Sequence, residues 1–297
     1  MEMIKVTFPD GSVHEFEKGV KILDVAISIS EGFARNVIGA VVNDDIIKGL
    51  SETLKEDCTV KFVKFEDKEG KEIFWHTSSH VMALAIQRLF PDTKFGIGPA
   101  IENGFYYDLD SEHKFTPEDL EKIEAEMKKI VKEGYSVDRK EVDRDFALKY
   151  FAEKGQDYKI DLIEGFDKDA ELSFYELGEF TDLCRGPHLV DIKKIKAVKL
   201  LSIAGAYWRG SEKNKMLQRI YGITFEKKKD LDEYLEFLED AKQRDHRKIG
   251  KELGIFMISQ NVGAGLPFWL PKGATIRRVV ERYIVDKEVE LGYDHVY

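Results

Sequence analysis

The chain has 297 residues, of which 43% are hydrophobic, and this length predicts two or three domains with buried cores. No apolar run approaches the roughly 20 residues that a membrane-spanning helix requires, and the opening residues MEMIKVTFPDG turn polar too early for a signal peptide. We therefore expect a cytoplasmic protein without membrane contact. The formal net charge of -10 gives no general positive field, so an RNA partner would have to bind local basic clusters.

Residues 1–65 alternate between strand-like runs and one helix, which predicts a small mixed α+β domain. The runs IKVTF and VHEFE flank Asp10-Gly11, a strong signal for a hairpin turn. A helix is predicted near 22–28, and VIGAVV and TVKFVKF are predicted to be strands. The polar run EDKEGKE at 66–72 is interpreted as a linker to the next domain.

Residues 70–228 are predicted to form a second α+β domain. The run HVMALAIQRLF has helical spacing and ends at Pro91, which cannot continue a helix. The residues TPED at 116–119 supply an N-cap, a first-turn proline and an acid ahead of an apolar helical stripe that stops at Gly134. A shorter helix is predicted near 145–153, and the strands LSFYEL and KAVKLLSIAG are predicted to enclose the loop TDLCRGPHL.

The remaining residues are predicted to form a connecting helix and a further segment. Residues 229–248 are interpreted as a linker helix, because their apolar side chains recur on one face. Residues 249–297 contain a glycine-rich turn and a helix predicted over 275–291. Cys58 and Cys184 lie far apart in segments of different character, which fits a reduced compartment better than a disulfide scaffold.

Four groups suited to metal binding or proton transfer come from two segments. His76 and His80 are four residues apart, so on a helix their imidazoles share one face. Cys184 and His188 have the same spacing, but the Gly-Pro dipeptide between them forbids a regular helix and predicts a shaped loop. Three imidazoles and a thiol would suit tetrahedral zinc, or would instead hold a water molecule and move its protons.

Each half of this pattern also has an ordinary interpretation. An HxxxH pair by itself is more often two partly buried histidines, and a single cysteine is most often a small core residue. The two pairs together, in a chain with two cysteines, favour a site. Whether that site binds metal stays open on the residues alone.

Further side chains gain a role only beside those four. Asp182 is suited to orient an imidazole or bind an ammonium group, and Lys159 to stabilise a developing oxyanion. Tyr106 and Tyr107 would line a pocket or stack on a base, although a tyrosine pair in a strand is more often core. Local basic patches for phosphate contacts are KQRDHRKIGK, Lys227 to Lys229, and the lysines of DIKKIKAVK, namely Lys193, Lys194, Lys196 and Lys199.

Three long strings in the second domain carry a family resemblance. They are HTSSHVMALAIQRLFPDTKFGIGPAIENGFYYD, YELGEFTDLCRGPHL and AGAYWRGSEKNKMLQRIYG, and they resemble the second N-terminal domain of threonyl-tRNA synthetases. That domain resembles the editing domain of alanyl-tRNA synthetases, which shares the HxxxH and CxxxH groups. Residues 1–65 resemble the ubiquitin-like β-grasp domain that precedes it in bacterial members. RDHRKIGKELGIF, GLPFWLPKGATIRRVVERYI and ELGYDHVY resemble the start of a class II catalytic domain.

The resemblance implies an editing esterase that hydrolyses seryl-tRNA made in error by a threonine–tRNA ligase. By motif position, it implies that the site is lined by His76, His80, Tyr107, Lys159, Asp182, Cys184 and His188. It implies the acceptor end of the tRNA for threonine as partner and a homodimeric full enzyme. The threonyl family is thought to edit without metal, so no cofactor is expected here, with zinc on the two histidine-containing pairs as the disfavoured alternative.

The same resemblance implies that the ATP, Mg and zinc sites of the catalytic domain lie beyond residue 297. The chain by itself is therefore expected to lack aminoacylation activity. A competing interpretation is a non-catalytic tRNA-docking module, and deacylation of mischarged tRNA discriminates between the two. A zinc hydrolase acting on a small free substrate is disfavoured by the tRNA-linked strings.

Overall fold

The computed structural model describes residues 2–259, 261, 263 and 265–296, and the chain divides into two compact units. The first unit extends to Leu231 and the second starts at Asp232. Within the first unit we distinguish an N-terminal module, residues 3–65, from a middle module, residues 66–227. No helix among the described residues combines the length and the apolar character needed to cross a membrane.

The N-terminal module folds a mixed sheet around a helix. Its elements are β1 (Met3–Thr7), β2 (Val13–Glu17), β3 (Val20–Lys21), α1 (Ile22–Ile29), α2 (Glu31–Asn36), β4 (Gly39–Val42), β5 (Ile46–Gly49), β6 (Thr53–Leu54) and β7 (Cys58–Val63). The strand order is β2-β1-β7-β4-β5, in which β1 and β7 are parallel and the other pairs antiparallel. The predicted hairpin joins β1 to β2, and the predicted mixed α+β architecture of this module is confirmed.

The middle module places one long helix between two sheets. Its elements are α3 (Lys68–Leu89), β8 (Lys94–Phe95), β9 (Ala100–Ile101), β10 (Gly104–Asp110), α4 (Pro117–Glu133), β11 (Val137–Val142), α5 (Arg144–Glu153), α6 (Asp157–Glu164), β12 (Leu172–Leu177), β13 (Phe180–Leu183), β14 (Ala197–Tyr207) and β15 (Met216–Phe225). The larger sheet has the order β14-β15-β10-β8, and the smaller has β11-β12-β13. Helix α3 contacts strands of both sheets, so its central residues are buried.

Three helix ends lie where the sequence predicts them. Helix α3 stops at Leu89, before Pro91. Helix α4 begins after Thr116, whose side chain accepts from the backbone of Asp119 while the Asp119 carboxylate accepts from the backbone of Thr116. It ends at Gly134 in the left-handed conformation, at φ 72°.

Two predictions in the middle module are wrong, and one helix there is not predicted. The linker predicted at 66–72 is largely helix, because α3 begins at Lys68 and its polar first turn leads directly into the buried Ile73 and Phe74. Lys159 lies on α6, a helix that the sequence analysis does not predict. Asp182 lies in strand β13 and not in a loop, because its backbone pairs with Tyr175 of β12.

The second unit contains a strand pair between two helices. Helix α7 (Lys228–Gln243) leads into it, and α8 (His246–Glu252), β16 (Phe256–Ile258), β17 (Pro267–Trp269) and α9 (Pro271–Glu290) follow. The linker helix predicted at 229–248 is thus shorter than expected. Helix α9 starts four residues before the predicted 275, because Pro271 occupies its first turn. The assignment of residues 249–297 to a class II domain stays a prediction.

Candidate active site

Helix α3 presents His76 and His80 on one face. They lie one turn apart, their ring centroids are 5.4 Å from each other, and the predicted shared face is confirmed. His80 is 1% exposed because it sits between the two sheets, whereas His76 is half-buried. The helix therefore supplies one buried and one partly exposed histidine.

The segment after β13 brings the other two groups to the same place. Cys184 is pinned to β12, since its N–H donates to the Ser173 carbonyl at 3.1 Å and its carbonyl accepts from the Ser173 hydroxyl at 2.5 Å. Gly186 has φ 71°, and a Cβ there would lie 2.1 Å from the Tyr175 hydroxyl, so glycine is required. The chain then turns back and buries His188.

The four predicted groups converge. One ligand atom from each of His76, His80, Cys184 and His188 lies within 4.8 Å of all the others. The Cys184 sulfur is 3.2 Å from Nε2 of His76 and 3.2 Å from Nε2 of His188. The prediction that the HxxxH and CxxxH pairs form one cluster is confirmed. Their chemical roles stay a proposal.

The hydrogen bonds around the rings leave more lone pairs than protons inside the cluster. His188 Nδ1 faces the Thr77 hydroxyl at 3.3 Å, which already donates to the Ile73 carbonyl and so accepts from the ring. His76 bonds the backbone of Pro187, and because proline has no N–H the imidazole is the donor. One thiol proton cannot serve both Nε2 atoms that face Cys184.

His80 adds a third lone pair. Its Nε2 lies 3.4 Å from the Asp182 carboxylate, and its buried Nδ1 has no hydrogen-bond partner among the described residues. A proton on Nε2, facing the carboxylate, leaves Nδ1 as an acceptor. Buried acceptors of this kind are normally satisfied by water or by a metal ion. The cluster therefore offers three nitrogen lone pairs that a water molecule or a metal ion would satisfy.

Asp182 is the centre of a buried network behind the histidines. Its carboxylate pairs with the Lys159 ammonium at 2.5 Å and accepts from the Tyr107 hydroxyl. The Lys159 ammonium also donates to the Gly96 carbonyl at 2.6 Å and to the Tyr107 hydroxyl at 3.1 Å. All three residues are at most 2% exposed. Two hydrogen bonds and the ion pair with Asp182 thus occupy the Lys159 ammonium, and this placement does not support the oxyanion role expected from the sequence.

Burial keeps the imidazoles and the thiol uncharged. It lowers the pKa of His76 to about 3, with help from His80, and that of His80 to about 4. Burial also lowers the pKa of His188 well below its ordinary value. The pKa of the Cys184 thiol rises to about 12 through burial and the neighbouring Asp182 charge. Burial also raises the pKa of Asp182, but Lys159 and His80 outweigh it and the net shift is downward.

The donor set fits a zinc ion. Three neutral imidazoles and a cysteine are ordinary tetrahedral zinc ligands, and within the part of the chain that the structure describes the buried His80 Nδ1 has no hydrogen-bond partner. Each imidazole also has the outer partner typical of metal-bound histidine: Pro187 for His76, Asp182 for His80 and Thr77 for His188. The same lone pairs would equally bind a water molecule, so the expectation of a metal-free site stays a prediction.

Several predicted groups lie outside the cluster. Tyr106 points to the opposite face of β10 from Tyr107, where the Arg219 guanidinium lies 3.8 Å from its ring centroid. Two of the lysines proposed for phosphate contacts are engaged. Lys194 donates to the Arg35 and Val37 carbonyls, and Lys199 pairs with Glu124 at 2.8 Å. Lys193 and Lys196 are exposed.

Three further residues contribute to the site without being predicted from the sequence. Thr77 fixes His188, the Gly96 carbonyl fixes Lys159, and the Tyr175 ring packs 4.4 Å from the ring of His188. A threonine beside a histidine or a tyrosine in a strand has no distinguishing pattern in one sequence. These contacts arise from the tertiary packing of α3 between the two sheets.

The fold and the site together define an α+β protein with a histidine and cysteine centre built from two segments. Two parts of the chain match known protein families. Residues 4–64 match the TGS domain. Residues 172–221 match the "Threonyl and Alanyl tRNA synthetase second additional domain", a range that includes Asp182, Cys184 and His188.

Individual relatives are more specific. The chain is 62% identical over 294 residues to the threonine–tRNA ligase of Finegoldia magna, covering 99% of this chain and 46% of that protein. It is 57% identical to the threonine–tRNA ligase of Clostridioides difficile, covering 98% of this chain and 45% of that protein. It is 55% identical to threonine–tRNA ligase 1 of Bacillus subtilis, covering 100% of this chain and 46% of that protein. The chain spans about half the length of the curated relatives it matches. Its resemblance to the threonyl-tRNA synthetases is confirmed.

Proposed function

We propose that the middle module hydrolyses the ester bond of a mischarged amino acid on tRNA, and that the whole protein is a threonine–tRNA ligase. The observation that supports hydrolysis is that the cluster has more imidazole lone pairs than protons. The free lone pairs can accept hydrogen bonds from the attacking water and so bind it. The threonine–tRNA ligase relatives support tRNA as the carrier of the ester. As a member of that class, the whole protein is proposed to be cytoplasmic and homodimeric.

Serine is the amino acid that such a ligase has most reason to remove. It keeps the hydroxyl group of threonine and lacks one methyl group, and a missing methyl is worth only about 1–3 kcal/mol of rejection. A second site that admits the smaller seryl group and excludes the threonyl group by size corrects the remaining errors. We therefore assign seryl-tRNA for threonine as the substrate.

His76 and Cys184 form the accessible side of the cluster and we assign the water to them. At neutral pH the His76 imidazole is uncharged, so Nε2 accepts a hydrogen bond from water. A pKa of about 3 makes it a poor proton acceptor at pH 7, so we assign His76 to orienting the water. A ribose hydroxyl of the tRNA then assists the proton transfer.

The remaining residues position these groups. Tyr107 and Lys159 fix the Asp182 carboxylate, which in turn orients His80. If zinc occupies the site, His76, His80, Cys184 and His188 would hold it, and it would lower the pKa of a bound water. Residues from α3, α6, β10 and β13 act together, so the site depends on the fold of the whole middle module.

The decisive experiment is deacylation of seryl-tRNA and threonyl-tRNA by the chain, with and without a chelator. Replacing His76 or Cys184 by alanine is expected to lower the rate on seryl-tRNA by about 10²-fold, because general acid–base and water-positioning groups contribute about that much. The control is His14→Ala, an exposed histidine on β2 outside the site and the basic patches, which should leave the rate unchanged.

Each alternative gives a different outcome. Equal hydrolysis of the two esters would remove the editing assignment. Loss of activity with the chelator would establish a metal site and contradict the metal-free expectation. Tight tRNA binding with no hydrolysis would select the docking-module alternative.

A further inference from the structure

The segment that carries His188 is held by the N-terminal module. Strand β5 ends at Gly49, and a Cβ built on Gly49 would lie 3.0 Å from the His188 carbonyl oxygen and 3.4 Å from the Pro187 Cβ. The Gly49 N–H donates to the Glu52 carboxylate at 2.8 Å, and that carboxylate also pairs with Lys48 at 3.3 Å. The backbone against which His188 rests is therefore itself fixed.

Two further residues of this segment contact the N-terminal module. Val190 packs against the hydrophobic core of the N-terminal module, the cluster that contains Ile22 and Val25. Four residues later, the Lys194 ammonium donates to the carbonyls of Arg35 at 2.8 Å and Val37 at 2.9 Å, at the end of α2. The segment 187–194 thus touches the N-terminal module at both ends and in the middle.

On its other side, the segment is attached to the middle module by Thr77. The Thr77 hydroxyl accepts from the Leu189 N–H at 2.9 Å and contacts Nδ1 of His188 at 3.3 Å. His188 is therefore set between α3 and the end of β5. Neither Gly49 nor Lys194 lies in the cluster, so their influence on it runs only through the backbone of 187–194.

We propose that the N-terminal module is a positioning element of the hydrolytic site, which sets His188 through the backbone contact at Gly49. For its effect on catalysis this inference rests on the proposed hydrolysis, but the placement of the His188 ring is testable by itself. A displacement of about 1 Å costs on the order of 10²-fold in rate, so a shift of a few tenths of an ångström should still be measurable.

The test is Gly49→Ala in the full chain. The new methyl group must push the backbone of His188, because 3.0 Å is too short for an ordinary Cβ contact. We expect roughly a 10-fold lower kcat on seryl-tRNA, a KM within twofold of the parent, and a shift of the His188 ring signals in ¹⁵N NMR. The matched control is Gly32→Ala on α2, where the nearest atom would lie 4.0 Å from the new Cβ, and it should change neither readout.

A second variant removes atoms instead of adding them. Lys194→Met loses both hydrogen bonds to the N-terminal module and is expected to shift the His188 signals in a folded chain, even if Gly49→Ala fails to fold. Unchanged His188 signals and kcat in folded Gly49→Ala and Lys194→Met would overturn the inference. A parent chain that hydrolyses neither ester would instead remove the proposed function, and the NMR signals would still decide whether the module positions His188.

Discussion

Thr77 determines which nitrogen of His188 carries the proton. Its hydroxyl donates to the Ile73 carbonyl at 2.8 Å, so the remaining lone pairs accept from the Leu189 N–H and from Nδ1 of His188. The proton on Nδ1 leaves Nε2 free to face Cys184. One hydroxyl group thus fixes both the position and the tautomer of a ring in the cluster.

We predict that Thr77→Val lowers the rate of seryl-tRNA hydrolysis about 10-fold, whereas Thr77→Ser stays close to the parent. Valine keeps the shape but leaves two buried donors without an acceptor, a loss of about 1–3 kcal/mol. The ¹⁵N shifts of His188 should report a change of tautomer in Thr77→Val alone. Identical His188 spectra in the valine and serine variants would show that the hydroxyl does not set the tautomer.

For individual residues, the sequence predicts the type of site better than its geometry. The i, i+4 spacing of His76 and His80 is enough to place them on one helix face, and the Gly-Pro dipeptide that precedes His188 predicts its loop. The contacts of the Lys159 ammonium, and the hydrogen bond that Thr77 accepts from His188, are not predicted by the sequence. They depend on partners more than 50 residues away in the chain, at Gly96 and His188, and no local pattern encodes them.

For secondary-structure elements too, the sequence predicts features that are encoded locally and misses those that depend on tertiary packing. The capping box of α4 is local, and the sequence predicts it to the residue. The start of α3 is not predicted, because its first turn is polar and lacks the apolar side chains of the later turns. Helix α6 is missed because its eight residues carry a weak apolar pattern, and packing supplies its stability.

The α4 capping box yields a prediction on pH. A hydrogen bond with His113 is the largest cause of a lowered pKa for Asp119, and bonds from Lys122 and Thr116 add to it against the opposing effect of burial. A carboxyl group whose folded pKa is lowered stabilises the fold above its unfolded pKa, near 4, and loses this effect as the pH falls below it. The Asp119 contribution should therefore be complete at pH 7.

We expect Asp119→Asn to lower the free energy of unfolding by about 1 kcal/mol at pH 7, the usual worth of a helix cap. The difference from the parent should shrink as the pH is lowered below about 4. Urea unfolding at pH 7 and pH 3 measures this difference in the free energy of unfolding. The control is Glu121→Gln, at an exposed position of α4. A deficit that is equally large at both pH values would contradict the electrostatic explanation.

Across the whole molecule, the distribution of charge matters more than its sum. The net charge of -10 opposes tRNA, and the structure engages Lys194 and Lys199 in contacts within the protein. In the second unit, α9 leaves apolar side chains exposed, with Val279 at 59% and Tyr283 at 64%. Exposed apolar surface of this kind commonly marks a contact with another protein surface.

The exposed lysines of the 193–199 cluster give the last prediction. If Lys193 and Lys196 contact phosphates, replacing both by glutamine should reduce the slope of log affinity for tRNA against log salt by about 1.4 to 1.8, since each contact contributes about 0.7 to 0.9. Lys5→Gln with Lys61→Gln makes the same change in net charge at exposed positions of β1 and β7. Filter binding at several salt concentrations compares the two double variants. An equal reduction in both would mean that net charge, and not a local contact at 193 and 196, controls tRNA affinity.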